Sequence, residues 1–301
     1  MKLNNTEVVD TYAEAFSSYF ARILITANDS YWAKQAALSA IGFATSTIHC
    51  PCEAGIDMEV PADKTPDKRP GIIVMFFAGK KKMPDVLLDR IGQCILTCPS
   101  TAVFDTLPDG LINEKTKETP TGKNLAFFGD GFQEKDDASF PFITHKIPVM
   151  DGEFIVQSSF KFGKAIAGGN LILQAENMDS ALKASKVAVE AASNVEGVIM
   201  PFPGGVVRSG SKVGSKYKFL SASTNDKLCP TLKDKVEESQ VAEGAGTVLE
   251  IVYDGMNDAA ILDAMKASVH AASKIDGMIA ISAGNYGGEL GKYKFHLKDL
   301  L

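Results

Sequence analysis

The chain has 301 residues, of which 45% are hydrophobic and 23% are charged, and its formal net charge at pH 7 is −6. This composition is typical of a soluble globular protein, and the length is sufficient for two packed cores. The negative charge gives no overall field that would attract nucleic acid or anionic lipid, so neither is expected as a partner.

The first ten residues lack the basic and apolar regions of a signal peptide. The longest apolar run, at residues 71–79, is far shorter than the roughly 20 residues that a membrane helix needs. We therefore expect a cytoplasmic protein with no membrane partner.

Residues 22–105 alternate between strand and helix patterns. Strands are predicted at residues 22–27, 45–49, 72–78 and 101–105, and helices at residues 31–41 and 84–98. A strand, a helix and a strand written twice form the ferredoxin-like plan, in which the helices pack on one face of a mixed or antiparallel sheet. The N-terminal half is therefore expected to form one such lobe.

Residues 168–297 contain a second strand, helix and strand unit that is also written twice. Four apolar positions of the first helix recur 80 positions later in the second, with Leu182, Val189, Ala192 and Val195 matching Leu262, Val269, Ala272 and Ile275. Each set runs down one face of its helix, so the two helices are predicted to cover equivalent cores with these faces. The helices are predicted to end at Gly197 and Gly277, each a left-handed C-cap before a strand. We therefore predict an α+β protein of the α/β-sandwich type, with two ferredoxin-like lobes at residues 1–150 and 151–301.

The two copies differ at one position of their first strands. Ile172 in the first copy aligns with Glu250 in the second, so that a carboxyl occupies an apolar position. If the second strand is central in its sheet, burial raises the pKa of Glu250 toward neutrality and suits the carboxyl to proton transfer. The alternative is a glutamate that faces solvent on an edge strand, because successive strand residues point to opposite sides.

Glycine-rich loops lie at the ends of several predicted strands. They combine glycine with polar side chains at residues 53–57, 128–131, 168–170, 210–216 and 282–288. Because glycine lets backbone N–H groups approach a ligand closely, these loops together favour an extended ligand cleft. The 210–216 loop lacks the spacing of a nucleotide-binding P-loop. Lys212 and Lys216, with Arg208 upstream, either bind carboxylates or a phosphate of an acidic substrate or form a solvated basic loop.

The sequence indicates no metal site, dinucleotide cofactor or covalent nucleophile. His49, Cys50 and Cys52 are close in sequence, but their spacing matches no common zinc site, and reduced cysteines in a packed turn are favoured. No G-x-G-x-x-G loop follows a strand and no G-x-S-x-G motif is present. Direct transfer between substrates is therefore favoured, and a thioester on Cys50, Cys52 or Cys229 is the alternative.

Nine longer segments carry a family resemblance. They are DTYAEAF (10–16), CEAGID (52–57), DRIGQC (89–94), FFGDGFQE (127–134), IPVMDGEFIV (147–156), PFPGGVVRSGSKVGSK (201–216), ASTND (222–226), CPT (229–231) and ISAGNYGG (281–288). Together they resemble the formylmethanofuran:tetrahydromethanopterin formyltransferases of one-carbon metabolism and methanogenesis. The resemblance implies a two-lobed α/β subunit, a dimer-based homotetramer, and formyl transfer between the primary amine of methanofuran and N5 of tetrahydromethanopterin. It implies no metal and no prosthetic group, because both carriers act as substrates.

The resemblance also implies that Glu250 is the catalytic residue, because its V-x-E-I-V setting matches that of the family's active-site glutamate. From residue type and loop position, Lys212, Lys216 and Arg208 are candidates for binding the anionic ends of the carriers. The other substrate-binding candidates are Asp130, Gln133, Asn225 and Asn285, for the pterin or the formamide, and Glu53, Asp57, Phe128 and Gly129. Two alternatives stay open: a non-catalytic ligand-binding or regulatory protein, and the transferase subunit of a larger formyl-transfer and hydrolysis complex.

Overall fold

A computed structural model describes residues 1–301 of the chain. The α-helices are α1 (Ser30–Ile41), α2 (Met83–Arg90), α3 (Thr121–Ala126), α4 (Met178–Ala192) and α5 (Asp258–Ala272). The strands are β1 (Lys2–Leu3), β2 (Thr6–Val8), β3 (Tyr12–Thr26), β4 (Glu53–Val60), β5 (Gly71–Ala78), β6 (Ala102–Asp105), β7 (Lys117–Thr119), β8 (Glu134–Asp136), β9 (Thr144–Val149), β10 (Gly152–Gln157), β11 (Phe160–Ala175), β12 (Val198–Ile199), β13 (Ser211–Val213), β14 (Ala222–Thr224), β15 (Thr247–Gly255), β16 (Met278–Ser282) and β17 (Tyr293–His296). No helix is long and apolar enough to cross a membrane.

The chain divides into two compact units. The first unit contains Met1–Ser17, Thr45–Cys50 and Ile166–Leu301, and the second contains Ser18–Ala44 and Pro51–Ala165. The long strands β3 and β11 each contribute residues to both units, so the units exchange segments across the predicted lobes 1–150 and 151–301. The division into domains at residues 1–150 and 151–301 stays a prediction from the sequence.

The second unit has the predicted ferredoxin-like plan. Its central strands lie in the order β6, β3, β5 and β4, and each neighbouring pair is antiparallel. Helix α1 begins after Asp29, whose side chain accepts a hydrogen bond from the Trp32 N–H at 3.1 Å. Its buried face is made of alanines, which let the helix approach the isoleucines of β3 closely. Small side chains on the helix and branched ones on the strand therefore form this core.

Two predictions for residues 22–105 are corrected, one in each strand-helix-strand unit. Residues 45–49 do not form a strand, because the Cys50 N–H bonds to Thr47 O at 2.9 Å and His49 has a φ of +68°. A turn of this kind breaks strand pairing, and β4 takes the place of the predicted strand. The helix predicted at residues 84–98 is shorter: α2 ends at Arg90 and continues as a π-helical segment at Ile91–Ile95.

The first unit also has the ferredoxin-like plan, and it is built from the duplicated strand-helix-strand segment at residues 168–297. The order is β16, β11, β15 and β12, all antiparallel, and β2 adds to β16 in parallel. Asn177 and Asn257 cap the two helices in the same way, each accepting a backbone N–H three residues later. Equivalent caps at a spacing of 80 residues confirm that the two copies fold alike.

The ends of both helices and the buried face of α4 differ from the prediction. Helices α4 and α5 end at Ala192 and Ala272, while Gly197 and Gly277 adopt φ values of +80° and +84° just before the next strands. Leu182, predicted to be in the core, is 52% exposed. The core face of α4 instead consists of Ala181, Ala184, Ser185, Ala188 and Ala192.

Candidate functional site

Glu250 lies in the interior of a sheet. On one side it pairs with Ile172 of β11, the residue that replaces it in the first copy. On the other side its backbone N–H and C=O bond to Val207 at 2.9 Å each. Of the two positions that the sequence left open for Glu250, the structure shows the central strand and not the edge.

Alternation along β15 decides which way Glu250 points. Leu249, Ile251 and Tyr253 belong to the buried core beneath helices α4 and α5. Because strand residues alternate sides, Glu250 projects from the opposite face of the sheet. The carboxyl thus faces the loops that cover this face instead of the helices.

The Glu250 carboxyl has one hydrogen-bond donor and one close glycine neighbour. Its Oε1 accepts a hydrogen bond from Asn170 Nδ2 at 2.7 Å. Its Oε2 lies so close to Gly210 that a Cβ at residue 210 would be 2.8 Å away. Burial raises the pKa of Glu250, and the single Asn170 hydrogen bond only partly offsets that effect. A carboxyl of this kind holds its proton at a higher pH than an ordinary glutamate does.

Asn170 is placed by the register of the sheet. It lies on β11 two residues before Ile172, the cross-strand partner of Glu250, and so projects from the same face. Its Oδ1 accepts the Gly284 N–H at 2.8 Å. A Cβ at residue 284 would come within 2.8 Å of Asn170 Nδ2. Glycines at residues 210 and 284 therefore allow the backbone to close around the carboxyl and amide pair.

A second carboxylate, Glu14, holds the loop that follows Gly284. Its two oxygens accept backbone N–H groups from Tyr286 at 2.7 Å, Gly288 at 2.9 Å, Leu290 at 2.8 Å and also from Gly291. Glu14 is only 2% exposed. Burial alone would raise its pKa, but the four N–H donors outweigh burial and lower it. Glu14 is therefore an ionised anchor for the 286–291 loop.

The Tyr286 hydroxyl belongs to the same group of interacting residues. Burial raises the pKa of Tyr286, and the negative charge of Glu14, joined by that of Glu250 whenever its carboxyl is ionised, raises it further. Its ring packs against Phe16, with 6.2 Å between the ring centroids. The loop thus presents a neutral phenol on the Glu250 side of the first unit.

Five of the predicted substrate-binding residues lie in the first unit. Asn225 is half-buried, and its N–H bonds to Gly210 O at 2.8 Å, which joins it to the Glu250 site. The Asn285 amide donates to Thr11 Oγ1 and Tyr12 O at 3.2 Å each, so it holds its own loop. Lys212 pairs with Asp226 at 2.6 Å, whereas the cationic ends of Arg208 and Lys216 form no ion pair and both residues are exposed.

The other predicted residues lie in the second unit. Asp57 is buried and its carboxylate pairs with Arg22 Nε at 2.7 Å, while Glu53 is half-buried on the same strand. The loop that carries Gly129 and Asp130 is closed by Gln133 Oε1, which accepts the Gly131 N–H at 2.9 Å. Asp130 has a left-handed φ of +51°. This loop exposes three aromatic rings, those of Phe127, Phe128 and Phe132.

None of the five cysteines forms a disulfide, and Cys229 is linked to the Glu250 site through Asn225 and Gly210. Cys229 Sγ donates to Asn225 O at 3.3 Å. Burial raises the pKa of Cys52 in spite of the nearby Arg90 guanidinium, which disfavours a thiolate there. The structure contains no group of three or more His, Cys, Asp and Glu side chains that could hold a metal ion.

Sequence reasoning did not select Asn170, Glu14 or Tyr286 as individual site residues. Asn170 was included only as part of the glycine-rich loop at residues 168–170, and Tyr286 only as part of the segment 281–288 that resembles the family. Glu14 stands between Ala13 and Ala15, which are both buried. A charged residue between buried alanines was the only available signal for Glu14, whereas Glu250 was identified by its mismatch with Ile172 in the other copy.

Comparisons with known proteins cover the chain from end to end. The family model described as formylmethanofuran-tetrahydromethanopterin formyltransferase matches residues 1–149, and that described as FTR, proximal lobe, matches residues 152–300. Enzymes named formylmethanofuran--tetrahydromethanopterin formyltransferase are similar to the chain: that of Methanothermus fervidus is 50% identical over all of both chains, and that of Methanocaldococcus jannaschii is 49% identical over 100% of this chain and 99% of its own.

Two solved structures are also similar to the chain. The formylmethanofuran:tetrahydromethanopterin formyltransferase of Methanosarcina barkeri has a TM-score of 0.93 at 44% identity, with 100% of both chains covered. A chain of the formyltransferase/hydrolase complex from Methylorubrum extorquens, solved with methylofuran, has a TM-score of 0.94 at 44% identity, with 100% of this chain and 98% of that chain covered. Family models and full-length relatives agree, and the chain belongs to the formylmethanofuran-tetrahydromethanopterin formyltransferase family.

Proposed function

We propose that this chain transfers a formyl group between formylmethanofuran and N5 of tetrahydromethanopterin, with Glu250 as the catalytic acid. The chain is a formyltransferase by its family. The observation that supports Glu250 is a carboxyl on a central strand whose pKa is raised by burial and which has a single hydrogen-bond donor. Such a group keeps its proton to a higher pH than an ordinary glutamate, as a general acid requires.

The reaction requires a proton at the nitrogen that departs. The amine of one carrier attacks the formamide carbonyl of the other, and a tetrahedral intermediate with an oxyanion forms. Glu250 protonates the departing nitrogen as its bond to the formyl carbon breaks. The attacking nitrogen loses a proton in the same cycle, and the Glu250 carboxylate accepts it, which regenerates the acid. Backbone N–H groups of the neighbouring glycine loops are suited to stabilise the oxyanion.

The remaining substrate-binding candidates of the first unit differ in whether their side chains already have a partner within the chain. Arg208 and Lys216 have no ion-pair partner, so they are assigned to the anionic ends of the carriers. Lys212 could reach an anion only by exchanging Asp226 for it. Asn225 is assigned to a polar group of the substrate because its backbone joins it to Gly210.

In the second unit, the exposed Phe128 ring and the Asp130 carboxylate are assigned to a flat, polar ring system such as a pterin. Gly129 and Gln133 shape that loop, since the Gln133 amide closes it. Glu53 is assigned to substrate binding from its strand-end position alone. Asp57 is assigned an indirect role through Arg22, because its own carboxylate is buried.

We further propose that the chain assembles into a homotetramer built from dimers and works in the cytoplasm. Large exposed apolar side chains, among them Phe43, Phe127 and Phe132, support assembly. The related Methylorubrum chain is part of a formyltransferase/hydrolase complex, which is the second candidate. Light scattering on the purified chain separates them: a stable mass of four subunits supports the homotetramer, and a monomer that needs other subunits for activity supports the complex.

The Glu250→Gln variant tests the catalytic proposal. Glutamine keeps the size of the side chain and accepts the Asn170 hydrogen bond, but it cannot supply a proton. We expect kcat for formyl transfer to fall by about 10²–10³, as for other lost transition-state donors, while the KM values for both carriers change little. The exposed Glu237 is the matched control, and Glu237→Gln should keep full activity. Turnover of Glu250→Gln near that of the unmodified chain would remove Glu250 from the mechanism.

A further inference from the structure

The orientation of the Asn170 side-chain amide is fixed by its partners. An asparagine amide has an oxygen that only accepts and a nitrogen that only donates. The Gly284 backbone N–H can only donate, and it lies 2.8 Å from the oxygen, Oδ1. The nitrogen, Nδ2, must therefore face Glu250 Oε1, which is 2.7 Å away. The flipped amide would place two donors against each other at Gly284.

This orientation makes the two oxygens of Glu250 unequal. Oε1 must accept from Nδ2, and in a neutral carboxyl the carbonyl oxygen is the better acceptor. The hydroxyl of the neutral acid is then Oε2, the oxygen that faces Gly210. Oε2 forms no hydrogen bond within the chain, and residue 210 has no side chain to cover it. The proton is thus held on the oxygen that is free to give it away.

We infer that Asn170 is a positioning residue that places the acidic proton of Glu250 on Oε2, facing Gly210. The inference rests on the proposed role of Glu250 and adds the direction from which the proton is delivered. The reacting nitrogen must reach Oε2, which lies on the Gly210 side of the carboxyl. Asn170 also stays a donor to Oε1 after the proton has left, so it stabilises the carboxylate product of the transfer.

The amide is held in place by the rest of the site. The Gly284 C=O accepts the Glu14 N–H at 3.1 Å, and the Glu14 carboxylate binds the loop that follows. Glu14, Gly284, Asn170 and Glu250 therefore form one connected series of hydrogen bonds. Each member limits the freedom of the next, as a preorganised acid requires.

The Asn170→Asp variant tests the inference because it changes only the donor. The introduced aspartate keeps an oxygen for the Gly284 N–H but places a second oxygen against Glu250 Oε1. Two carboxyls this close share one proton near neutral pH, and that proton lies between them instead of on Oε2. We expect kcat at neutral pH to fall by about 10²-fold. Activity should recover as the pH is lowered, because the introduced carboxyl, once protonated, donates to Oε1 again and returns the Glu250 proton to Oε2.

The Asn170→Ala variant and a surface control complete the experiment. Alanine removes the donor without adding a titrating group, so we expect a similar loss of kcat with no recovery at low pH. Asn194→Asp adds the same charge at the exposed end of α4 and should leave both kcat and its pH dependence unchanged. Unfolding midpoints of all variants identify any that fail to fold, in which case Asn170→Ala decides the question.

The outcomes separate this inference from the proposed function. If Glu250→Gln is inactive but Asn170→Ala keeps full turnover, or Asn170→Asp shows no recovery at low pH, then Glu250 acts without Asn170 and the inference is wrong. If Glu250→Gln is itself fully active, Glu250 is not the catalytic acid, and both the proposed function of Glu250 and the inference about Asn170 are wrong. Loss of activity in all three site variants, with low-pH recovery in Asn170→Asp alone, is the result we expect.

Discussion

Glu250 and Glu14 are two largely enclosed carboxyls in the same unit, and their surroundings drive their pKa values in opposite directions. Glu250 receives one hydrogen bond and its pKa is raised, whereas Glu14 receives four backbone N–H donors and its pKa is lowered. The number of donors decides the sign, because each donor stabilises the charged form against the cost of burial. One residue is therefore suited to proton transfer and the other to holding a loop.

Glu14→Gln tests the anchoring role at the residue scale. The amide nitrogen replaces one carboxylate oxygen, so two of the four loop N–H groups lose their acceptor. We expect a loss of stability on the order of 3 kcal/mol, measured by urea unfolding, and faster amide exchange at residues 286–291.

Glu289→Gln is the matched control, since Glu289 is exposed in the same loop and its side chain has no partner. The ionised Glu14 carboxylate contributes its full stability to the fold at pH values above the ordinary glutamate pKa. That contribution is lost as the pH falls through the lowered pKa of the folded state, so the difference between Glu14→Gln and the unmodified chain should shrink at low pH. Equal stability of both variants at neutral pH would contradict the anchoring role.

The duplicated unit explains why Glu250 could be identified from the sequence and Glu14 could not. Glu250 has a counterpart in the first copy, Ile172, and comparing the two shows that a glutamate has replaced an apolar residue. Glu14 lies outside the duplicated segments, so nothing in the chain shows which residue would normally occupy its position. Asn170 was harder still, because its partners Gly284 and Glu250 are brought together only by the register of β11, β15 and β16.

Among the secondary-structure elements, the existence of strands and helices and the buried face of α5 could be predicted, but the buried face of α4 could not. Apolar periodicity placed Leu182 in the core, whereas α4 packs through alanines and a serine. Ser268 Oγ of α5 donates to Ala188 O at 2.9 Å and accepts the Tyr253 hydroxyl at 2.7 Å. Such a contact requires the helices to approach closely, which only small side chains allow.

Ala188→Leu tests this packing. The larger side chain has no space at the contact between α4 and α5, and overpacking of this kind costs about 1–3 kcal/mol. The measurement is the free energy of unfolding in urea. Leu182→Ala on the exposed side of the same helix is the control, with an expected change within about 0.5 kcal/mol. A larger loss of unfolding free energy in Leu182→Ala than in Ala188→Leu would show that Leu182 lies in the core, as the sequence predicted.

For the whole molecule, two ferredoxin-like arrangements were predictable from repeated strand and helix patterns, but the residues at which the compact units exchange segments were not. Strands β3 and β11 are continuous, no glycine or proline lies near Ser17, and the glycines near Ala165, at residues 163, 168 and 169, lie within β11 itself. The threonines of residues 45–50 favour a strand by their type, although the hydrogen bonds of this segment form a turn in the first unit.

The stability of the molecule should depend on pH through Asp105. Burial is the largest influence on this carboxyl and raises its pKa to about 7 from an ordinary value of 3.8. Because the folded pKa is raised, the fold is favoured while Asp105 is protonated, and its contribution is lost as the pH rises from about 4 to about 7. We expect Asp105→Asn to be less sensitive to pH over this range in thermal unfolding. The exposed Asp137 is the control, and an identical pH dependence in Asp105→Asn and Asp137→Asn would contradict this assignment.

The protonation state of Glu250 is central to the chemistry of the molecule, because the carboxyl must be a neutral acid at neutral pH. Infrared difference spectroscopy between the unmodified chain and Glu250→Gln measures this directly, since a protonated carboxyl absorbs apart from a carboxylate. At pH 7 we expect a band of a protonated carboxyl that is present in the unmodified chain and absent from the variant, and that disappears as the pH is raised. A difference spectrum that contains only carboxylate bands at pH 7 would contradict the acid role of Glu250.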